Sequence, residues 1–397
     1  MTGQQLTLPF LQHAGFTNPI LVPQKEGLGI TIPPDTFSVS DVEQYLGSNR
    51  RVHVIEVARQ SEVPMKLGQF IRHFKNPKRT KVLNLLSLEI SSTPLSSLVE
   101  APYIARKLDW LNHVWPTDVG EDKTLTRPQV EKYCLLSTKD SYTDFHIDFG
   151  GSSVWYHLLW GDLHLAQTDE WLYEECRGNF IIGLGEKTFF LIKPTCANLS
   201  LYQRWTSSCT QSETFFGDQV DMCYKFTLKK GQTLLIPSGW IHAVLTPVDS
   251  LVFGGNFLHS LNIQLQLQVH EIEVSMKLAK KFLYPSFHKV NWFAARSLLG
   301  DLKRVNNSGK KVPLYLLSGL KALLLALKQW NQDKDDGVVV DVLASHLEGL
   351  GSLKVVDCFQ WGANPYMRCF VESTIREYDF NPTFTLHHEK GCQKSNS

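Results

Sequence analysis

Between residues 133 and 257, short apolar runs alternate with turns, and this pattern limits the fold more than any other feature of the 397-residue chain. The runs are rich in β-branched and aromatic residues. The turns between them contain Gly150-Gly151, Lys229-Lys230-Gly231 and Pro237-Ser238-Gly239. Short strands separated by such turns are typical of a β-sandwich or a β-barrel, so the segment predicts one of these rather than a parallel sheet.

The residues before this segment have a mixed pattern. Ser40 can cap a short helix that Gly47 would end. The other predicted elements are a helix over 65–74 and strands over 52–57 and 81–90. Residues 1–129 are therefore expected to form a mixed α/β segment that supports the barrel.

The residues after Asn262 predict helices. Apolar residues recur there at three- and four-residue spacing over 264–282, 292–305 and 314–330. We expect a C-terminal helical region over 291–385 and a disordered polar tail over 386–397. The predicted fold class is α+β, with a β-rich centre flanked by an N-terminal mixed segment and a C-terminal helical segment.

Composition excludes several classes of protein. The apolar fraction of 43% and the charged fraction of 20% are those of a soluble globular protein. The formal charge of +1 gives no overall attraction for nucleic acid, so direct DNA contact is expected to be weak at most. The one compact basic run, 75–81, is either a phosphate-contacting or import signal or a solvated loop, and such runs are more often loops.

Neither the N-terminus nor the cysteines suggest secretion or membrane insertion. Residues 1–5 lack the pattern of a signal peptide, and the longest apolar segment, 314–327, contains Lys321 and is too short to span a bilayer. None of the eight cysteines forms a C-x-x-C pair, which excludes a zinc finger. They are expected to be reduced thiols of a cytoplasmic or nuclear protein.

The segment 141–151 carries the first chemical signal. If it is a strand, His146 and Asp148 lie on the same face, because side chains alternate along a strand. An imidazole and a carboxylate so placed can bind one metal ion. Gly150-Gly151 then allows a sharp turn that leaves the metal near open space. Alone, the H-x-D pattern is weak evidence.

A third ligand candidate is His242, which follows an apolar strand and the Pro237-Ser238-Gly239 turn. A single histidine in a chain with 14 is more often an ordinary core or surface residue than a ligand. Two histidines and one carboxylate, however, form the facial triad of non-heme iron oxygenases, which leaves coordination positions free for a 2-oxo acid and dioxygen. The combined pattern therefore favours a metal site.

Several segments resemble a known family. The residues 133–161, 185–195 and 215–263 closely resemble the JmjC domain of histone lysine demethylases, in the subfamily whose members carry an N-terminal PHD finger. The upstream pieces LTLPF, VPQKEGLG, KLGQFI, KVLNLLSLE and RKLDWLNHVWP are similar to the same subfamily. The resemblance covers most of residues 1–300.

The resemblance implies a fold and a set of cofactors. The fold is a double-stranded β-helix, a cupin-like jelly roll, which here would be a catalytic domain over 130–290. The cofactors are Fe(II) and the co-substrate 2-oxoglutarate, with dioxygen as a substrate. In this sequence His146, Asp148 and His242 match the iron ligands.

Other site residues are also implied position by position. Thr143 and Tyr156 match hydroxyl groups that bind 2-oxoglutarate, and Lys187 matches the lysine that binds its distal carboxylate. A lysine alone is more often solvated, so only its strand context and the match single it out. Tyr133 and Asn256 match positions near the methylated lysine, although Tyr133 is equally compatible with a core position.

The reaction implied is an oxidative demethylation. An N-methyl group is hydroxylated, and the product releases formaldehyde. The resemblance points to mono- and dimethyl-lysine on histone H3, chiefly lysine-9 and lysine-27, and on histone H4 lysine-20, and so to histone tails as partners and the nucleus as location. The alternatives are a JmjC protein hydroxylase and a chromatin scaffold with little catalytic activity.

Two features depart from the family pattern. The cysteines exclude the PHD finger, so the targeting that it provides is expected to be missing from this chain. Residues 162–185 form an insertion where family members have a tight hairpin, either as a loop or as translated intron sequence. A one-residue shift of register there would turn Lys187 to the wrong face.

Overall fold

The computed structural model describes residues 1–117, 125–162, 186–309 and 311–330. Its strands are β1 (Ile20–Val22), β2 (Arg51–Glu56), β3 (Ser61–Lys66), β4 (Leu83–Glu89), β5 (Tyr133–Ser137), β6 (Ser141–His146), β7 (Ser153–Asp162), β8 (Glu186–Ile192), β9 (Tyr224–Lys229), β10 (Thr233–Ile236), β11 (Ile241–Thr246) and β12 (Asp249–Phe257). The insertion at 162–185, apart from Asp162 at the end of β7, and the residues after Trp330 lie outside the described residues.

The strands form two antiparallel sheets. The larger has eight strands in the order β1-β10-β7-β12-β5-β4-β2-β3, and the smaller has four in the order β6-β11-β8-β9. Strands β2, β3 and β4 of the N-terminal segment thus extend the larger sheet. The described part of residues 1–129 therefore contains both kinds of element: its strands join the sheet and its helices pack beside it.

The connection between β7 and β8 differs from our expectation. We expected residues 162–185 to interrupt a hairpin, but β7 and β8 lie in different sheets and are not paired. The chain therefore crosses from one sheet to the other at this point. A hairpin prediction was wrong here because strands that follow each other in a jelly roll are often separated between its two sheets.

The helices are α1 (Leu8–Ala14), α2 (Val39–Leu46), α3 (Leu67–Lys75), α4 (Tyr103–Leu108), α5 (Trp110–His113), α6 (Cys196–Thr206), α7 (Ile263–Ser275), α8 (Phe287–Asn307) and α9 (Leu314–Trp330). With the two sheets they confirm the predicted α+β class. The last helix has the predicted bounds. The helix predicted over 264–282 ends at Ser275, and a short 3-10 turn, Lys280–Phe282, follows.

The cap of α2 also differs from the prediction. Ser38, not Ser40, caps the helix, because its hydroxyl accepts from the backbone N–H of Asp41 while the Asp41 carboxylate accepts from the backbone N–H of Ser38. This reciprocal pair satisfies two N–H groups at the start of the helix, which one serine inside the first turn cannot do. Gly47 ends the helix as predicted.

The core lies between the two sheets. Leu158, Leu234 and Val252 of the larger sheet share one buried cluster with Phe189 and Leu228 of the smaller sheet. Each such side chain contributes roughly 1.5–3 kcal/mol when fully buried. This shared core packs the smaller sheet, whose strands β6 and β11 carry the two candidate histidine ligands, against the larger sheet.

A second core belongs to the C-terminal helices. Trp110 of α5, Leu267 of α7, Val290 of α8 and Leu323 of α9 pack in one buried cluster. Helix α7 also contacts the short turn Phe149–Gly151 that follows β6. No helix in the described part of the chain is both long and apolar enough to cross a membrane.

Candidate metal centre

The two candidate histidine ligands come from neighbouring strands. His146 ends β6, and its antiparallel partner across the sheet is His242 of β11. The pairing shifts by one residue between His242 and Val244, which makes a bulge beside the two rings. The ring centroids are 4.2 Å apart. Pairing between strands thus brings together residues that are 96 positions apart in the sequence.

Asp148 lies beyond the strand rather than on it. Strand β6 ends at His146, and Asp148 precedes the turn Phe149–Gly151. Gly150 and Gly151 both have a φ of 60°, the left-handed conformation that favours glycine. We expected Asp148 on the strand face beside His146. The strand prediction was wrong at this residue, although the predicted sharp turn at the two glycines is present.

The three side chains converge on one point. One ligand atom from each of His146, Asp148 and His242 lies within 4.8 Å of the other two. His242 Nε2 lies 3.7 Å from Asp148 Oδ2. This spacing leaves room for an ion between the donor atoms, and two nitrogens with one carboxylate oxygen form a donor set that suits Fe(II).

Backbone carbonyls orient both imidazoles. His146 Nδ1 lies 2.8 Å from the carbonyl oxygen of Asp144, and His242 Nδ1 lies 3.1 Å from that of Trp240. A carbonyl can only accept a hydrogen bond, so each Nδ1 is the donor, and in the neutral imidazole the lone pair is then on Nε2. Histidines that bind metals are typically held by such contacts to their other nitrogen. The lone pair at Nε2 is therefore available for an ion.

The protonation state of His242 also suits a ligand. Burial, followed by the neighbouring His146 ring, lowers the pKa of His242 to about 4, and the Asp148 carboxylate opposes this only in part. The ring is therefore neutral near pH 7. A neutral imidazole is the form that binds a metal ion.

Asn256 of β12 contacts the candidate carboxylate ligand. Its Nδ2 donates to Asp148 Oδ1 over 3.2 Å and to Ser152 Oγ over 3.0 Å. This leaves Oδ2 on the side of His242.

Tyr133, at the start of β5, donates from its hydroxyl to the Gln129 carbonyl oxygen over 3.3 Å. Both residues were predicted beside the substrate, and Asn256 also helps to orient Asp148.

Lys187 is buried in the barrel. Only 1% of it is exposed, and its Nζ donates to Ser137 Oγ over 2.9 Å and to Thr246 Oγ1 over 2.7 Å. Burial lowers the pKa of Lys187 to about 7, because the charged form loses hydration. Both recorded partners are neutral hydroxyls. A carboxylate brought into the barrel would restore the charge, so the position fits an anionic ligand.

A chain of hydrogen bonds connects Lys187 to Thr143. Ser137 Oγ donates to Asn84 Oδ1 over 2.8 Å, and Asn84 Nδ2 donates to Thr143 Oγ1 over 3.1 Å. Asn84, Ser137 and Thr246 were not among the residues predicted from the sequence. A polar residue inside an otherwise apolar strand, such as Asn84 in the run 81–90, is the signal that could have found them.

Tyr156 of β7 faces the same interior. Its ring meets Phe189 of β8 edge to face at 5.4 Å. Burial, and then the charge of Asp148, raise the pKa of the Tyr156 hydroxyl above its usual value, so the group stays protonated and can donate a hydrogen bond. His146 and Asp148 also line a cavity of about 670 Å³, whose other lining residues include Arg50, Arg51 and Glu89.

Comparison with known families supports this geometry. Residues 133–257 match the JmjC domain, hydroxylase, and residues 261–347 match the Jumonji helical domain. The chain belongs to the JmjC family. The resemblance predicted from the sequence is therefore confirmed, and so is the double-stranded β-helix that this domain implies. JmjC domains in general depend on iron and 2-oxoglutarate, and the described residues include a His-Asp-His group able to hold a metal.

Curated relatives of this JmjC chain are named as lysine demethylases. It is 49% identical to the histone lysine demethylase PHF8 of Danio rerio over 336 residues, which cover 85% of this chain and 30% of that protein. It is also 49% identical to lysine-specific demethylase 7A of Homo sapiens, over 83% of this chain and 32% of the relative. Lysine-specific demethylase 2A of Xenopus tropicalis is 41% identical, over 80% and 26%. The chain thus spans about a third or less of these relatives.

Proposed function

We propose that this protein is an Fe(II)- and 2-oxoglutarate-dependent oxygenase that removes methyl groups from lysine side chains of histones. The observation that carries the proposal is the convergence of His146, Asp148 and His242, with both histidine Nδ1 atoms bound to carbonyls. Three donors that approach one point from the barrel leave the remaining side of an ion open to other ligands.

The proposed iron ligands are His146, Asp148 and His242. The proposed 2-oxoglutarate contacts are Lys187 for the distal carboxylate and the hydroxyls of Thr143 and Tyr156. Support comes from the burial of Lys187 among hydroxyls and from its hydrogen-bonded connection to Thr143. A dry site strengthens the attraction between the ammonium and a carboxylate, because water does not screen it.

With iron and 2-oxoglutarate bound, the site would supply the oxidation that hydroxylates an N-methyl carbon, and the product would release formaldehyde. The protein's own residues would bind and orient these ligands and keep water out of the site. Asn256 orients the carboxylate of Asp148, the two carbonyls orient the imidazoles, and the hydroxyl of Tyr156 remains a donor. Tyr133 and Asn256 are proposed to lie near the methylated lysine.

The proposed substrates are histone tails. Support comes from the relatives, which are named as histone or lysine-specific demethylases, and from the cavity beside the triad. We propose mono- and dimethyl-lysine at H3 lysine-9, H3 lysine-27 and H4 lysine-20 as the sites, and the nucleus as the location. The proposed domains are a supporting segment over 1–129, a catalytic domain over 130–290, and a helical region from 291.

The test is turnover of methylated histone peptides by the full chain with Fe(II) and 2-oxoglutarate. Demethylation removes about 14 Da per methyl group, whereas stable hydroxylation adds about 16 Da, and mass spectrometry distinguishes them. We expect loss of mass together with formaldehyde and succinate. A gain of mass on a peptide would favour a protein hydroxylase. Metal binding without turnover of 2-oxoglutarate on any peptide would favour a chromatin scaffold.

A further inference from the structure

A carboxylate from the helical domain contacts the turn that carries the proposed iron ligand Asp148. Glu273 of α7 accepts a hydrogen bond at Oε1 from the backbone N–H of Gly150 over 2.8 Å. Only 6% of Glu273 is exposed, and 123 residues separate the two partners. A buried acceptor at this reach satisfies the N–H of the turn, and its loss would leave that N–H unpaired inside the protein.

The turn is also closely packed against the helices. A Cβ atom added at Gly150 would lie 2.9 Å from side-chain carbons of Tyr284 and Phe287, and one added at Gly151 would lie 3.0 Å from Val269. The turn therefore has little space in which to shift. The backbone N–H of Gly151 donates to the carbonyl oxygen of Asp148 over 3.0 Å, which connects the turn directly to the ligand residue.

Asp148 is therefore held from two sides. Asn256 of the barrel holds one oxygen of its side chain, and Glu273 holds the backbone two residues further on. Behind Glu273, its second oxygen lies 3.6 Å from His270 Nδ1, and His270 Nε2 lies 3.1 Å from His288 Nε2. The His288 ring stacks on Trp330 of α9 at 4.0 Å. The contacts thus run from the last helix to the metal turn.

We propose that Glu273 is a positioning residue, which holds the turn that directs the Asp148 carboxylate at the metal and so couples the helical domain to the metal centre. This inference rests on the proposed function of Asp148 as an iron ligand. It assigns to the first helix of the Jumonji helical domain a role in metal binding, beyond packing against the barrel.

The test separates the length of the side chain from its charge. Glu273→Gln keeps an acceptor oxygen at the same reach but loses the charge. Glu273→Asp keeps the charge but withdraws the acceptor by one methylene. Glu273→Met keeps the volume and loses the acceptor. The control is Glu271→Asp, an exposed carboxylate on the same helix. Each variant of the full chain is titrated with Co(II), and visible absorption reports affinity and ligand geometry.

We expect Glu273→Asp and Glu273→Met to bind Co(II) about 10-fold more weakly, with an altered absorption band, as is common when a residue that orients a ligand is removed. Glu273→Gln and Glu271→Asp should stay within about 2-fold of the parent chain. Circular dichroism at the titration temperature confirms that each variant is folded, and if Glu273→Met does not fold, the comparison of Asp with Gln decides.

Two results would overturn the inference alone. In one, Glu273→Asp binds Co(II) as the parent chain does. In the other, Glu273→Gln loses as much affinity as Glu273→Asp, which would assign the effect to charge rather than to the hydrogen bond. If the parent chain does not bind Co(II), or binds it without any need for His242, the proposed function fails as well, so the two failures are distinguishable.

Discussion

Among the residues that the structure describes, two pairs of histidines lie close together, and they differ in how their nitrogens are used. In the barrel, His146 and His242 have their Nδ1 atoms at backbone carbonyls and their Nε2 atoms free to meet Asp148. In the helical domain, the Nε2 atoms of His270 and His288 face each other at 3.1 Å, so one must donate a proton to the other.

The difference between the pairs shows that proximity of imidazoles does not make a metal site. The rings of His270 and His288 stack on Phe287 and Trp330, at 4.1 and 4.0 Å between centroids. They pack as flat aromatic groups that share a hydrogen bond. The barrel pair is instead oriented by the backbone, with both lone pairs turned toward one carboxylate. The tautomer fixed by the carbonyls, rather than the distance, distinguishes the two pairs.

The largest expected effect is on metal affinity. His242→Ala should weaken binding of Co(II) by more than about 100-fold and abolish iron-dependent turnover of 2-oxoglutarate, because it removes a ligand. The matched change in the other pair, His288→Ala, removes no ligand, so its effect on metal affinity should not exceed the roughly 10-fold expected for loss of a positioning contact. Calorimetric titration of both variants measures this. Equal losses in the two variants would remove the distinction between the pairs.

The second effect concerns the co-substrate on the barrel side. Lys187→Met replaces the lysine with a side chain of similar length that lacks the buried ammonium. A hydrogen bond to a charged group contributes about 1.5–3 kcal/mol. We therefore expect the KM for 2-oxoglutarate to rise about 10- to 100-fold, with a smaller change in kcat. Metal affinity should stay near that of the parent chain. A fall in kcat with an unchanged KM would contradict the assigned contact.

The third effect is the dependence of 2-oxoglutarate affinity on pH. Burial lowers the pKa of Lys187 to about 7, so the amine of the free protein is increasingly neutral above that pH. Only the charged form pairs with a carboxylate, so affinity should fall as pH rises from about 7 to about 9. The slope should disappear in Lys187→Met. A slope that persists in the variant would assign the titration to another group.

The smallest effect is on stability in acid. The barrel also buries His157, which is 1% exposed, and burial lowers the pKa of this ring to about 4. In the unfolded chain the His157 ring is protonated near pH 6.5, whereas in the folded protein it stays neutral until about pH 4. The folded state is therefore fully stable above about pH 6.5 and loses stability as the pH falls toward about 4. Between about pH 6.5 and pH 5 the loss should be about 1–2 kcal/mol.

Denaturant titration of the parent chain and of His157→Gln measures this loss. The variant should have a smaller change in unfolding free energy between the two pH values, since glutamine does not titrate. An unchanged slope in His157→Gln would show that this ring is not the source of the acid sensitivity.

Much of the fold could be predicted from the sequence, because local patterns determine strands and helices. The β-rich segment and the bounds of α9 follow from periodicity. Errors occurred where a local signal had a close competitor: Ser38 and Ser40 each have a carboxylate three residues further on, Asp41 and Glu43, but the helix begins at Val39 and Ser38 makes the reciprocal cap with Asp41. The pairing of β7 and β8 was wrong because strand order in a jelly roll depends on the whole chain.

Much of the candidate site could also be predicted from the sequence. His146, Asp148 and His242 could be selected because of their residue types and the turns around them. Asn84 is marked only by its polarity inside an apolar strand, and Glu273 has no such mark, because each acts through a contact with a residue far away in the sequence. Such contacts depend on tertiary packing, and no short motif marks them. The position of Asp148 beyond the strand likewise depends on the turn packed against α7.

The most direct test of the metal centre is a count of the imidazoles that bind the ion. Pulsed electron paramagnetic resonance on the full chain loaded with Cu(II) or Co(II) detects each coordinated imidazole by its remote nitrogen. We predict two, reduced to one in His242→Gln and unchanged in His270→Gln. A signal that loses an imidazole when His270 is replaced, or that keeps both when His242 is replaced, would contradict the account.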